Sequence, residues 1–223
     1  MIYIFGGSYA VDEHNPISWV TKLGQSYRVT NLAEPNISNS DMLLSFLAIH
    51  KKLTANDTVI VVWNDYMFPY TGNIRKLTLE DQEKILADYF EYFYNDTLAF
   101  ENYLHTLNRF KELSGGAKLI VLWSSPSNKS TTYTWPWEQD FHLNWKKHTF
   151  AVNFENEIRP GLIYFAKQEL KKMNLKGEAL KNMLTDDPRP NHIADATVHD
   201  QIFSTITKFI NNDVSGIVNL DIK

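Results

Sequence analysis

The sequence predicts an α/β protein with a central, mainly parallel β-sheet. Short apolar runs alternate with longer segments in which apolar residues recur every three or four positions, as they do on one face of a helix. Two of the runs, Thr58–Trp63 and Lys118–Trp123, are almost continuous in β-branched and large apolar residues, which is typical of strands buried on both faces of a parallel sheet. The length of 223 residues fits a single domain, at 1–223, with a sizeable core.

The predicted elements alternate along the chain. The predicted strands lie at 2–5, 27–33, Thr58–Trp63 and Lys118–Trp123. The predicted helices lie at 16–23, directly after a loop at 35–40, and at about 202–210, where apolar residues recur with helical spacing. The pattern leaves open whether the tail at 217–222 adds an edge strand.

Two longer segments, at about 78–113 and 135–175, are predicted to be helical insertions in this domain. Thr78 opens the first segment as a helix cap, and Gly115-Gly116 ends it. The second segment is interrupted at Pro160-Gly161 and contains more aromatic residues than one helix face needs. These aromatics either fill the core between helices or form an apolar wall around a substrate or at a subunit interface, and both interpretations stay open.

The composition limits the classes of function. A net charge of −4 and a pI near 6.0 argue against a nucleic-acid partner. The absence of cysteine excludes disulfides and thiol catalysis, and the histidines are scattered, so we expect neither a metal nor another cofactor. No apolar run reaches the roughly 18 residues of a membrane span, and no signal peptide precedes the first strand. We therefore expect a soluble protein that is cytoplasmic as synthesised.

The first strand ends in a serine that is well placed for chemistry. In open parallel sheets, ligands bind just beyond the carboxyl ends of the strands. Ser8 stands there, after Gly6-Gly7, which permit a tight turn and leave backbone N–H groups free. Ser8 is therefore a candidate nucleophile. The alternative is that Ser8 caps the helix that follows.

A polar loop near the carboxyl terminus offers the base that such a nucleophile needs. Two prolines predict that the segment 186–192 is extended rather than helical. The segment contains His192 and two acids, of which Asp187 lies nearer the histidine than Asp186 does and is the better candidate to orient its ring. His199, at the start of the C-terminal helix, is not expected to act as the base. The alternative is that the acid and the histidine of this loop are only solvated.

Two asparagines also follow predicted strands. Asn36 lies in the loop after the second strand, and Asn64 follows the buried strand Thr58–Trp63. Acyl transfer needs hydrogen-bond donors directed at the developing oxyanion, and an asparagine amide or a loop N–H can supply them. The alternative for either residue is a turn in which its side chain bonds its own backbone.

These residues resemble the sequence blocks of the SGNH (GDSL-type) hydrolase family. The first block, Gly-Asp-Ser, is matched by Gly6-Gly7-Ser8, with Gly7 in place of the usual aspartate. The second block is matched by 31–39, where Asn36 stands at the position of the family's oxyanion glycine. The third block, Gly-Xaa-Asn-Asp, is matched by 62–65, with Val62 in place of the glycine.

The fifth family block, an aspartate shortly before a histidine, is matched by Asp187 and His192 with wider spacing than usual. A second alignment places Pro190-Asn191 on the family's His-Pro-Asn and puts Arg189 at the catalytic position. We prefer His192, because arginine stays protonated near neutral pH and cannot act as a base. The resemblance extends from residue 5 to about residue 203.

The resemblance implies a three-layer α/β/α sandwich of the flavodoxin-like, SGNH-hydrolase type, with about five strands in the sheet. It implies hydrolysis or transfer of ester-linked acyl groups on a small-molecule or glycan substrate, as in a carboxylesterase or a carbohydrate O-acetylesterase. Ser8, Asp187 and His192 would form the catalytic triad. The N–H groups of Ser8 and Asn36 and the side-chain amide of Asn64 would form the oxyanion hole. The oligomeric state is not predicted.

Two other functions fit parts of the pattern. The departures at Gly7, Asn36 and Val62 are also expected of a binding module that keeps the fold, has lost the chemistry and recognises, for example, carbohydrate. A third interpretation is that the Gly6-Gly7-Ser8 loop binds a phosphate or a nucleotide through its N–H groups. It is the weakest of the three, because it gives Asn64 and His192 no role.

Overall fold

The computed structural model describes residues 1–11, 15–35, 37–64, 77–124, 154–159, 161–162, 164–165, 193 and 195–220. The strands in these ranges are β1 (Ile2–Gly6), β2 (Val29–Asn31), β3 (Thr58–Trp63), β4 (Lys118–Trp123), β5 (Asn156–Arg159) and β6 (Gly216–Asn219). The α-helices are α1 (Trp19–Ser26), α2 (Asn39–Leu47), α3 (Leu79–Asp88), α4 (Asp96–Leu113) and α5 (Ala196–Ile210).

The strands form one sheet in the order β2-β1-β3-β4-β5-β6, and every described pair is parallel. The α/β class is therefore confirmed, whereas the expected count of about five strands is wrong, because the described sheet has six. The sixth strand comes from the tail, where β6 pairs in register with β5, so that Ile217 lies opposite Glu157.

One part of the second predicted insertion is also wrong. Within the segment 135–175, Asn156–Arg159 forms β5 rather than helix. Its sequence, Asn-Glu-Ile-Arg, has a single apolar residue and no strand-like pattern, and β5 is fixed instead by its pairing with β4 and β6. Most of the remaining segment lies outside the described residues.

The first predicted insertion is helical but is made of two helices. α3 and α4 are separated by a π-helical turn at Tyr89–Phe93. Thr78 caps α3 as expected, since its Oγ1 accepts a hydrogen bond from the N–H of Asp81 at 3.2 Å. α4 ends before Gly115, whose φ of +62° is the left-handed conformation that stops a helix.

Helices pack against both faces of the sheet, because successive strand residues point to opposite sides. α1 and α5 cover the face that includes Ile4, Ile60 and Ile120. α2 and α4 cover the opposite face, which includes Phe5 and Val61. Each face thus has its own buried apolar layer, and the edge of the sheet at which the strands end is supported from both faces.

An aromatic cluster fixes α2 and α4 against the sheet. The rings of Phe46 and Phe110 stack with their centroids 4.3 Å apart. Phe5 meets both rings edge-on, and Trp63, the last residue of β3, meets Phe110 at 5.3 Å and 89°. Such pairs add about 0.5–1.5 kcal/mol each beyond the area they bury. Phe110 touches three aromatic partners and is the centre of the cluster.

We expect Phe110→Ala to lower the free energy of unfolding by about 3–5 kcal/mol, because it leaves a cavity among fully buried rings. The measurement is urea denaturation followed by circular dichroism. Leu98→Ala in the same helix is the control, because Leu98 is 61% exposed and its loss should change stability by less than about 0.5 kcal/mol. Equal losses in the two variants would contradict the packing described above.

Candidate active site

The strand order reverses between β1 and β3. From β1 the chain moves outward to β2, then returns past β1 to form β3 on its other side. In open α/β sheets, ligands bind at the carboxyl edge next to such a reversal. Ser8 follows β1 and Asn64 follows β3, and Gly6 lies opposite Val62 in the pairing of these strands. Two of the residues predicted from the sequence therefore lie beside this point.

Ser8 begins a short 3-10 turn, Ser8–Ala10, closed by a hydrogen bond from the N–H of Ala10 to the carbonyl of Gly7 at 2.9 Å. Ser8 is half-buried. The alternative role as a helix cap is wrong, because Ser18 caps α1 by accepting from the N–H of Val20 at 3.2 Å. Among the described residues, neither the hydroxyl nor the N–H of Ser8 has a hydrogen-bond partner.

Asn64 is held by residues that precede and begin α2. Its N–H donates to Oδ1 of Asn39, and its carbonyl accepts from Nδ2 of Asn39, both at 3.0 Å. Its own Nδ2 donates to the carbonyl of Ile37 at 2.6 Å. The alternative for this residue, a turn in which it bonds its own backbone, is therefore not what the structure has. One hydrogen of Nδ2 is used by Ile37, and an amide nitrogen carries two.

The side chain of Asn64 lies directly against Gly7. A Cβ atom at residue 7 would come within 3.1 Å of Oδ1 and 3.3 Å of Nδ2 of Asn64, closer than such atoms normally approach. A larger residue at position 7 would therefore require the Asn64 amide to shift by a few tenths of an ångström. The residue that departs from the family's aspartate thus makes room for the Asn64 amide.

The other predicted site residues lie outside the described residues. These are Asn36, Asp187 and His192, together with the alternatives Asp186 and Arg189. Their distances to Ser8 stay predictions. Ile37 and Ile193, which directly follow Asn36 and His192, are both described and buried.

His199 is a buried structural residue. Its Nδ1 accepts from the N–H of Trp19, at the start of α1, at 3.2 Å, so the ring proton is on Nε2. Nε2 donates to the carbonyl of Ile193 at 2.7 Å. Both ring nitrogens of His199 are therefore engaged in hydrogen bonds to the main chain.

Trp19 extends this connection to the residue that follows Ser8. Its indole N–H donates to the carbonyl of Tyr9 at 3.2 Å, and Tyr9 directly follows Ser8. The residue after Ser8 and the residue after His192 are therefore both bonded to the Trp19–His199 pair. Sequence reasoning missed this pair and Asn39. An asparagine just inside a helix and a histidine on an apolar helix face carry no sequence motif that marks them. Their only distinguishing feature is that they are polar residues at buried positions.

Comparisons with protein-family models, with curated proteins and with solved structures find no match for this chain. The likeness to SGNH hydrolases therefore rests on the motif residues alone. Among the described residues, no group of three or more histidine or acidic side chains is arranged to hold a metal ion. No helix in the described ranges is both long enough and apolar enough to cross a membrane.

We expect Gly7→Ala to displace the Asn64 amide, because the Ile37 hydrogen bond prevents it from moving away freely. The side-chain amide resonances of Asn64 should shift in NMR spectra. The free energy of unfolding should be about 1–3 kcal/mol lower than that of the native chain. Gly24→Ala is the matched control, since no atom lies within 4 Å of the new Cβ and alanine favours the helix by about 0.5–1 kcal/mol. Unchanged Asn64 resonances in Gly7→Ala would show that the contact is not close.

Proposed function

We propose that this protein is a serine-dependent hydrolase of ester-linked acyl groups, of the carboxylesterase or carbohydrate O-acetylesterase kind, with an SGNH-type α/β/α fold. One observation carries the proposal. At the β1/β3 strand-order reversal, the hydroxyl and N–H of Ser8 are unused by any described residue, and the Asn64 amide lies beside the preceding glycine. The residue proposed as nucleophile therefore directly follows a glycine that contacts the amide proposed as oxyanion donor, at the edge where α/β proteins bind ligands.

In this mechanism His192 takes the proton of Ser8 as the Ser8 oxygen attacks the ester carbonyl. Asp187 orients the imidazole and stabilises its protonated form. The alcohol leaves with the proton that His192 returns, and an acyl-enzyme remains on Ser8. His192 then activates a water molecule, which releases the acid and restores the serine.

The tetrahedral intermediates carry a negative oxygen that needs donors. The N–H of Ser8 and the N–H of Asn36 supply two, and the second Nδ2 hydrogen of Asn64, the one not donated to Ile37, supplies the third. Because Asn64 is fixed by three hydrogen bonds before substrate binds, its amide needs little reorganisation during the reaction. Removing one such donor typically costs about 10²–10³ in turnover.

The Trp19–His199 pair supports the choice of His192 as base. The indole of Trp19 bonds the carbonyl of Tyr9, the main-chain N–H of Trp19 bonds the ring of His199, and that ring bonds the carbonyl of Ile193, so the chain neighbours of Ser8 and His192 are linked through these two buried residues. A base must come within hydrogen-bond reach of its nucleophile, and this link keeps the two chain segments on the same face of the sheet.

A binding module with the same fold is the second candidate. Gly7 and the fully buried Val62 both stand where the family has other residues. These two departures from the family pattern favour a domain without catalysis. Such a domain would bind a glycan or another ligand at the same edge of the sheet but would not form a covalent intermediate.

A fluorophosphonate probe should label the protein on Ser8, as established by mass spectrometry of the labelled peptide. Ser8→Ala should abolish labelling and lower aryl-ester turnover by more than the roughly 10²–10³ expected for one oxyanion donor. Ser40→Ala, at an exposed position in α2, should keep both. A folded protein that the probe does not label would favour the binding module.

Turnover of an aryl ester should rise with pH through one ionisation and then level off, because His192 must be neutral to accept the Ser8 proton. Histidines ordinarily titrate near pH 6.5, so the rise should lie close to neutrality. His192→Ala should remove the rise together with nearly all activity. His105→Ala, at an exposed position in α4, should leave the profile unchanged. An intact profile in His192→Ala would place the base elsewhere.

A further inference from the structure

Asn39 bonds both main-chain polar groups of Asn64. The N–H of Asn64 donates to Oδ1 of Asn39, and Nδ2 of Asn39 donates to the carbonyl of Asn64, each at 3.0 Å. Asn39 is 5% exposed, so water does not compete for these bonds. The Asn39 side chain thus bonds the main chain of Asn64 as a neighbouring strand would. It does this just where β3 and its strand pairing end.

The residue that caps α2 is Ser38, not Asn39. Asn39 is the first residue of the helix. Oγ of Ser38 accepts from the N–H of Asp41 at 3.1 Å and donates to the carboxylate of Asp41 at 2.8 Å. The cap bonds of α2 are therefore made by Ser38 and Asp41.

The support behind Asn39 is rigid. α2 is anchored in the core by Met42 and Phe46, both fully buried, and Phe46 belongs to the aromatic cluster with Phe110. A side chain at the first turn of such a helix is held more firmly than one on a loop. The return bond from Nδ2 of Asn64 to the carbonyl of Ile37 closes the connection, so Asn64 and the segment that begins α2 form one unit.

We propose that Asn39 is a positioning residue for ester hydrolysis, which holds the main chain of Asn64 so that the Asn64 amide stays directed at the oxyanion. This inference rests on the proposed function. It adds a residue that belongs neither to the proposed triad nor to the proposed oxyanion hole. The Asn64 side chain is held as well, because its Nδ2 donates to the carbonyl of Ile37.

The first test is steady-state turnover of an aryl ester by Asn39→Ala. A misplaced oxyanion donor should lower kcat by roughly 10–100-fold and change KM by less than about twofold. Asn95→Ala is the matched control, because Asn95 caps α4 by accepting from the N–H of Leu98 at 3.0 Å and is remote in sequence from the site. It should lower the melting temperature and leave kcat within about twofold. A kcat in Asn39→Ala that matches the native value would overturn the inference.

The second test is a double-mutant cycle with Asn64→Ala. If Asn39 acts by positioning the Asn64 amide, then Asn39→Ala should reduce kcat by no more than about twofold once that amide is absent, because the two effects are not additive. If Asn39→Ala loses the same factor in both backgrounds, Asn39 acts by another route and the inference is wrong.

Amide hydrogen exchange separates this inference from the proposed function. In Asn39→Ala the N–H of Asn64 loses its acceptor, so its exchange should accelerate at least tenfold, whereas Asn95→Ala should leave it unchanged. If the native protein neither labels nor turns over esters, the proposed function fails. Faster exchange of the Asn64 N–H in Asn39→Ala would then still support the conclusion that Asn39 fixes the main chain of Asn64. Unchanged exchange would overturn that conclusion.

Discussion

The site depends on the close parallel approach of β1 and β3 at their carboxyl ends. A Cβ atom at Gly6 would lie 2.7 Å from Cβ of Val62, so only glycine permits this approach without a shift of one strand. Because the strands are parallel, both continue into loops at the same edge, and Ser8 and Asn64 are brought there by the backbone alone. The two glycines thus have different roles. The lack of a side chain at Gly6 lets β3 pack close to β1, and the lack of one at Gly7 leaves space for the Asn64 amide.

The two faces of the sheet support different parts of the site. On the face of α2 and α4, Asn39 fixes Asn64, and the aromatic cluster fixes α2. On the face of α1 and α5, Trp19 and His199 join the segment after Ser8 to the segment after His192. A change in one apolar layer should therefore affect mainly the oxyanion side or mainly the base side of the proposed chemistry.

The parts of this structure that were predictable are those that depend on local sequence. Thr58–Trp63 and Lys118–Trp123 were assignable as strands because buried parallel strands are apolar on both faces, and Ser8 and Asn64 stood out because they follow strands. β5 was not predictable, because Asn-Glu-Ile-Arg becomes a strand only through pairing with β4 and β6. The roles of Asn39 and His199 depend on partners distant in sequence, which no local pattern encodes.

The hydrogen bonds that hold the two sides of the site differ greatly in sequence separation, and this bears on the order of folding. Asn39 and Asn64 are 25 residues apart, whereas Trp19 and His199 are 180 apart. Loop-closure entropy makes the longer closure costlier by about 1.7 kcal/mol for a flexible chain. The Asn39–Asn64 bonds need only the first 64 residues of the chain, whereas the Trp19–His199 bond needs the last helix. A chain still growing from its amino terminus therefore contains both partners of the Asn39–Asn64 bonds well before it contains both partners of the Trp19–His199 bond.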